Sequence, residues 1–245
     1  MTRRWTAALI VFLAAGCRTG GVVGPPAPPP PRPIPGAIHW VRNSAEYKAA
    51  AYQAYRNATR RIDVVAASRR PGTWAVVLDA DETVLDNSQY QKERAEAKLP
   101  FTSESWTEWV KRRAAGAVPG ARSFIRRVKE ANGQVVIVTN RTQAECPDTE
   151  ENLRALSIEY DAILCKPDGG PSEKEGRFES VVRGTAKPGL PPLEIELWVG
   201  DNIQDFPQQR QEMRRGVEGT FGQFGNMFVI IPNPMYGSWE RNPVE

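Results

Sequence analysis

Two hydrophobic periods alternate along residues 38–245 of this chain. Tyr47, Ala51, Tyr55, Ala58, Ile62 and Val65 recur every three or four residues, the stripe of one helix face. Asn43, with Glu46 three positions on, has the form of a capping box at the start of that helix. Tyrosines on such a stripe serve packing. Residues 74–78, 134–138 and 194–199 are instead short, mostly apolar and rich in branched side chains, the pattern of strands covered on both faces. Residues 162–165 and 227–231 give further strands, and helical patterns at 122–131, 149–156, after Ser172 and at 206–215 lie among them. This alternation predicts an α/β fold, a doubly wound and mainly parallel sheet with helices on both faces. After the first strand the chain leaves the sheet, with a helical pattern at 103–114. A small helical subdomain is therefore expected from residues 43–66 and 88–118.

Three of the strand patterns end in polar residues of complementary kinds. The first runs into Asp79-Ala80-Asp81-Glu82-Thr83-Val84, the second into Thr139-Asn140-Arg141, and the third into Gly200-Asp201-Asn202-Ile203-Gln204-Asp205. Open parallel sheets bind ligands beyond the carboxyl ends of their strands, so these groups can converge on one crevice. Ionised carboxylates buried without a cation cost roughly several kcal/mol each, so Asp79 and Asp81 at a buried strand end imply a cation. Such a pair can supply a nucleophile and a proton donor beside one metal ion. Gly-Asp-Asn is also a common turn and Thr-Asn-Arg a common loop start. It is their order, each after a buried strand, that carries the reading. Lys166 and Lys174 both fall between the second and third of these motifs. Ser172 with Glu175 reads as a capping box that places Lys174 in a first helical turn, where a cation opposes the helix dipole by about 0.3–1 kcal/mol unless an anion faces it.

The succession D-A-D-E-T, T-N-R, a lysine and G-D-N-I-Q-D resembles the four motifs of the haloacid dehalogenase superfamily of phosphotransferases. D-A-D-E-T-V-L-D-N-S at 79–88, N-S-A-E-Y-K-A-A-A-Y-Q-A-Y before it and P-N-P-M-Y-G-S-W-E near the end are similar, more narrowly, to bacterial class C acid phosphatases, outer-membrane lipoproteins acting as nucleotidases. The similarity runs from about His39 to Glu240. It implies a haloacid dehalogenase-like fold and a magnesium-dependent phosphomonoesterase that hydrolyses nucleoside 5′-monophosphates through an aspartyl-phosphate. By the same resemblance, Asp79 is the nucleophile and Asp81 the acid and base. Asp79, the Asp81 backbone carbonyl and Asp201 hold Mg²⁺. Thr139 bonds a phosphoryl oxygen, Asn140 and Arg141 flank it, and Asp205 orients the metal shell or the lysine. Arg177-Phe178 follow Lys174 as in the family, which favours Lys174 over Lys166, with the substrate phosphate as the facing anion. Trp106 and Tyr236 match positions that flank the nucleotide's ring, while Trp109 and Trp239 are expected in the core. The competing readings are a broad-specificity phosphatase or phosphotransferase on small organic phosphates, and a non-enzymatic surface lipoprotein that only binds.

Composition acts by exclusion. The single histidine, His39, lies ahead of the first long helix pattern, which disfavours phosphohistidine enzymes, two-metal phosphatases built on imidazoles and serine hydrolases. Arg3-Arg4, a short apolar core at 5–14 and Leu13-Ala14-Ala15-Gly16-Cys17 read as a signal peptide over 1–16 with Cys17 lipidated, too short to span a bilayer. The expected location is outside the cytoplasm, anchored to the outer membrane on its periplasmic or surface face. Residues 17–37 form a proline-rich spacer of polyproline type. Removing Arg3 and Arg4 from a chain of formal net charge +3 leaves it close to neutral, so nucleic acid is not an expected partner; a small phosphate monoester and a membrane are. Export leaves Cys146 and Cys165 as an even pair, either bridged or two buried thiols.

Overall fold

The computed structural model describes residues 34–244, so the signal peptide, Cys17 and most of the proline-rich spacer lie outside the described residues. Helix α1 (Gly36–Asn43) already includes residues 36 and 37, read from sequence as spacer. Helix α2 (Ala45–Ser68) follows, and its cap is Ser44 rather than Asn43: the Ser44 hydroxyl accepts the Tyr47 N–H at 3.0 Å, while Asn43 closes α1. The stripe from Tyr47 to Val65 is buried throughout, as its periodicity requires.

Strand β1 (Trp74–Leu78) is central. Beyond it come β2 (Leu85–Asp86), α3 (Ser88–Ala97), α4 (Ser103–Arg112) and β3 (Gly116–Ala117), the last pairing antiparallel with β2. The chain then returns through α5 (Ala121–Glu130), β4 (Gln134–Thr142), α6 (Cys146–Ala155), β5 (Ala162–Lys166), α7 (Glu175–Arg183), β6 (Glu194–Gly200) and β7 (Phe228–Ile230). The five long-range strands are parallel, in the order β5-β4-β1-β6-β7. From β1 the chain winds outward to β4 and β5, then crosses to β6 and β7. The switch therefore falls beside β1, where α/β sheets bind ligands.

Alternation of side chains along the strands builds two cores. Val76 and Leu78 of β1 and Val135 and Ile137 of β4 pack with α2 and α5, whereas Ala75, Val77, Val136 and Val138 pack with Phe178 and Val181 of α7. Tyr90 of α3 and Trp109 of α4 join the first of these cores, so the excursion is fastened to the same body. Two further sequence expectations fail. No α-helix forms at 206–215, where Pro207 withholds a backbone donor and Gln208 adopts a left-handed φ of 62°; only short 3-10 turns at Ile203–Asp205 and Gln211–Arg215 remain. Trp239, expected in the core beside Trp109, is 45% exposed, because it lies on the turn Ser238–Arg241 past the last strand; Trp109 is buried.

Candidate functional site

Asp79 is delivered by β1, its backbone N–H donating to Val199 O of β6 at 2.9 Å. The chain then turns tightly: Val84 and Leu85 both donate to Ala80 O, and Glu82 takes a left-handed φ of 54°. Tyr55 of α2 donates its hydroxyl to Thr83 O at 2.6 Å, so a tyrosine read as packing also anchors this turn.

Lys174 is buried and its ammonium donates to Asp79 and, at 2.7 Å, to Asp205. It occupies the N-cap of α7 rather than the first turn, and Ser172 makes no side-chain cap. The anion facing this cation includes the protein's own carboxylates. Lys166 ends β5 opposite Thr142 and does not line the cavity described below. Burial pulls Lys174 down, but the Asp205 and Asp79 carboxylates outweigh it and push it above the ordinary lysine range.

Asp79, Asp201 and Asp205 each present an oxygen within 4.8 Å of the others. Lys174 serves two of them. Among the described residues, Asp201 receives only neutral donors, the Asn233 amide at 2.8 Å and the Thr83 hydroxyl at 3.3 Å. Burial pushes Asp201 well above the usual carboxylate range, with Asp205 and Asp79 adding to the effect, and pushes Asp79 up to about 7 against the opposing pull of Lys174. One ammonium among three carboxylates leaves negative charge uncompensated, and an all-oxygen donor set of this kind fits a hard divalent cation such as magnesium.

Asp81 points elsewhere. Arg141, buried in the extended end of β4, donates to Asp81 Oδ1 at 2.7 and 3.0 Å, to Asn87 Oδ1 at 3.1 Å and to the Thr149 hydroxyl at 3.1 Å. Thr139 is wholly buried, its hydroxyl accepting the Arg141 N–H at 3.1 Å, and is not among the residues lining the cavity. Asn140 is exposed at the rim, its side-chain oxygen accepting from Arg177 at 2.7 Å. Burial lowers Arg177 below the ordinary arginine value. Thr139, Asn140 and Arg141 belong to the strand itself, which extends to Thr142.

These groups surround one cavity of about 560 Å³, lined by Asp79, Asp81, Arg141, Lys174, Asp201 and Asp205 on its polar side. Phe101, Trp106, Met235 and Tyr236 form the apolar side. Trp106 packs edge-on against Tyr90 at 5.2 Å and lies under the Arg141 guanidinium at 5.4 Å. Tyr236 donates its hydroxyl to Glu82, which is buried and pushed well above its usual range, chiefly by burial. His39 is exposed on α1 and lines no part of the cavity. Glu82, Asn87, Arg177 and Asn233 join the site without a role that the sequence pattern reveals. Glu82 and Asn87 stood inside the quoted 79–88 stretch and Arg177 beside the lysine, but nothing in local spacing shows what each one touches.

The family model described as HAD superfamily, subfamily IIIB (Acid phosphatase), matches residues 33–239. A crystal structure of the class C acid phosphatase from Bacillus anthracis with tungstate bound is 29% identical, covers 83% of this chain and 85% of its own, and superposes with a TM-score of 0.74. A second structure of that phosphatase is 30% identical, with the same coverages and a TM-score of 0.73.

Proposed function

Because this chain belongs to subfamily IIIB of the HAD superfamily, the acid phosphatases, we propose that it hydrolyses nucleoside 5′-monophosphates with magnesium and through a phosphorylated Asp79. The observation that carries this is the pairing of an under-compensated carboxylate cluster with a ring-lined cavity at one strand edge. Asp79, the Asp81 carbonyl and Asp201 would hold the ion. When bound, it neutralises charge on the phosphoryl oxygens. An Asp79 oxygen attacks phosphorus as the bond to the ribose oxygen breaks, and Asp81 gives its proton to that departing oxygen. Asp81 then takes a proton from the water that attacks the acyl phosphate, releasing phosphate and restoring Asp79. Lys174 holds Asp79 in place and Asp205 holds Lys174. Trp106 and Tyr236 stack on the base, worth about 1–3 kcal/mol per ring without reading its identity. Residence outside the cytoplasm with a lipid on Cys17 belongs to the same proposal, and the Cys146–Cys165 disulfide supports it, since such bonds persist in oxidising compartments.

Phosphate release by the purified protein, with magnesium and with chelator, is the primary test. Full activity in chelator removes the metal. Asp79→Asn should abolish turnover while the fold is kept; substantial residual activity would mean another nucleophile. Trp106→Ala and Tyr236→Ala should each raise KM for nucleoside monophosphates about tenfold and leave a small non-aromatic phosphate ester nearly unaffected. Parallel losses on both substrates would mean that the rings are structural.

A further inference from the structure

Asn87 is completely buried and uses every hydrogen-bonding position of its side chain. Its Oδ1 accepts the Trp109 indole N–H at 2.8 Å and an Arg141 N–H at 3.1 Å. Its Nδ2 donates to Asp81 Oδ1 at 2.9 Å and to Glu82 Oε2 at 3.3 Å, and its backbone N–H donates to Glu82 Oε1 at 2.8 Å. The chemistry of the neighbours fixes the amide's direction, because indole and guanidinium only donate and so must face Oδ1. Turned over, it would set donor against donor on that side.

The two oxygens of Asp81 are treated unequally. Oδ1 receives Asn87 at 2.9 Å and Arg141 at 2.7 and 3.0 Å, whereas Oδ2 has a single, longer contact from Arg141 at 3.3 Å. A proton on Oδ1 would point into three donors. We propose that Asn87 is a positioning residue: together with Arg141 it holds Asp81 by Oδ1, so that Oδ2 is the oxygen that hands its proton to the leaving group and recovers one from water. The same amide, through Glu82, also fixes the Tyr236 hydroxyl, so the proton donor and one wall of the ring site hang from a single side chain. This inference rests on Asp81 being the acid and base of the proposed reaction.

The test compares kcat/KM, which reports the phosphoryl-transfer step and not the hydrolysis of the shared acyl phosphate, for a nucleoside 5′-monophosphate, whose alkoxide needs a proton to depart, and for nitrophenyl phosphate, whose phenolate does not. Asn87→Ser should lose about tenfold more on the nucleotide than on the nitrophenyl ester, since general acid catalysis contributes about 10²–10⁴-fold. Thermal unfolding of the same variant reports its fold. Should Asn87→Ser not fold, Asn87→Ala removes the donor to Asp81 altogether, and the same split is expected. Equal losses on both esters would make Asn87 a packing residue only. Asp81→Asn is run alongside. If it too shows no leaving-group dependence, the acid role of Asp81 falls and this inference with it; if Asp81→Asn is selective and the Asn87 variants are not, only Asn87 is overturned.

Discussion

Three buried carboxylates with raised pKa values each contribute a pH dependence opposite in sign to that of a salt-bridged carboxylate such as Glu93. Asp79 is held at about 7, and Asp201 and Glu82 well above their usual range, all chiefly by burial. A group raised on folding binds its proton more tightly in the folded than in the unfolded chain. Its contribution to stability is therefore full below the unfolded value near 4 and is lost as pH rises, for Asp79 through about 7. Chelator-treated protein should accordingly melt at a higher temperature at pH 5 than at pH 7.5. Magnesium, by stabilising ionised Asp79 and Asp201, should raise the melting temperature more at pH 7.5 than at pH 5. A magnesium effect that shrinks between pH 5 and 7.5 would show that the carboxylates do not hold the ion. Asp79, Asp201 and Asp205 were legible in the sequence because each follows a buried-strand pattern. Glu82 and Asn87 were not, because their partners Tyr236, Arg141 and Trp109 reach them only through the tertiary fold.

Among the elements, β1, β5, β6 and β7 were legible to about a residue, since a strand buried on both faces must be continuously apolar and can be little else, while β4 runs past its apolar stretch to Thr142. Helices fared less evenly. The amphipathic faces of α2 and α5 mark themselves, but the tract at 206–215 looked helical and is broken by Pro207 and the left-handed Gln208. Short strands β2 and β3 leave no periodic signal and were missed. One element end has a requirement that its glycine reveals. A Cβ on Gly200, the last residue of β6, would lie 2.3 Å from Asp205 Cβ and 2.5 Å from its Oδ2. The Cβ sits at the root of the Asp205 side chain and cannot swing aside, so the turn itself must move, taking Asp205 from Lys174. Gly200→Ala should lower kcat at least about tenfold and weaken magnesium activation, as small displacements of positioning groups do. Gly176→Ala, in open space on α7, is the control and should keep activity with a gain of about 0.4–1 kcal/mol in stability. Equal behaviour of the two variants would mean that Asp205 does not need its present seat.

At the scale of the whole molecule, the site depends on keeping the ends of β1, β4 and β6 in register while the segment between β4 and β5 carries groups that close it. That segment is bridged: Cys146 opens α6 and Cys165 lies in β5, the edge strand, with Cα atoms 6.1 Å apart. The sequence left bridge and free thiols equally open, because separation along the chain says nothing of separation in space. Residues 143–145 and the start of α6 follow Arg141 after the single residue Thr142, and Thr149 of α6 supports the Arg141 guanidinium. The bridge therefore ties the support of Asp81 to the outermost strand. A closed loop spanning a sequence separation of 19 removes unfolded-state entropy worth about 3 kcal/mol. Cys146→Ala/Cys165→Ala should lose stability of that order in urea unfolding, and reductant should bring the parent protein down to the same midpoint while leaving the variant unchanged. Mass spectrometry of unreduced, alkylated protein is the direct check, and two alkylated cysteines would rule the bridge out. Loss of stability without reductant sensitivity in the parent would mean instead that the two buried side chains matter for their volume alone.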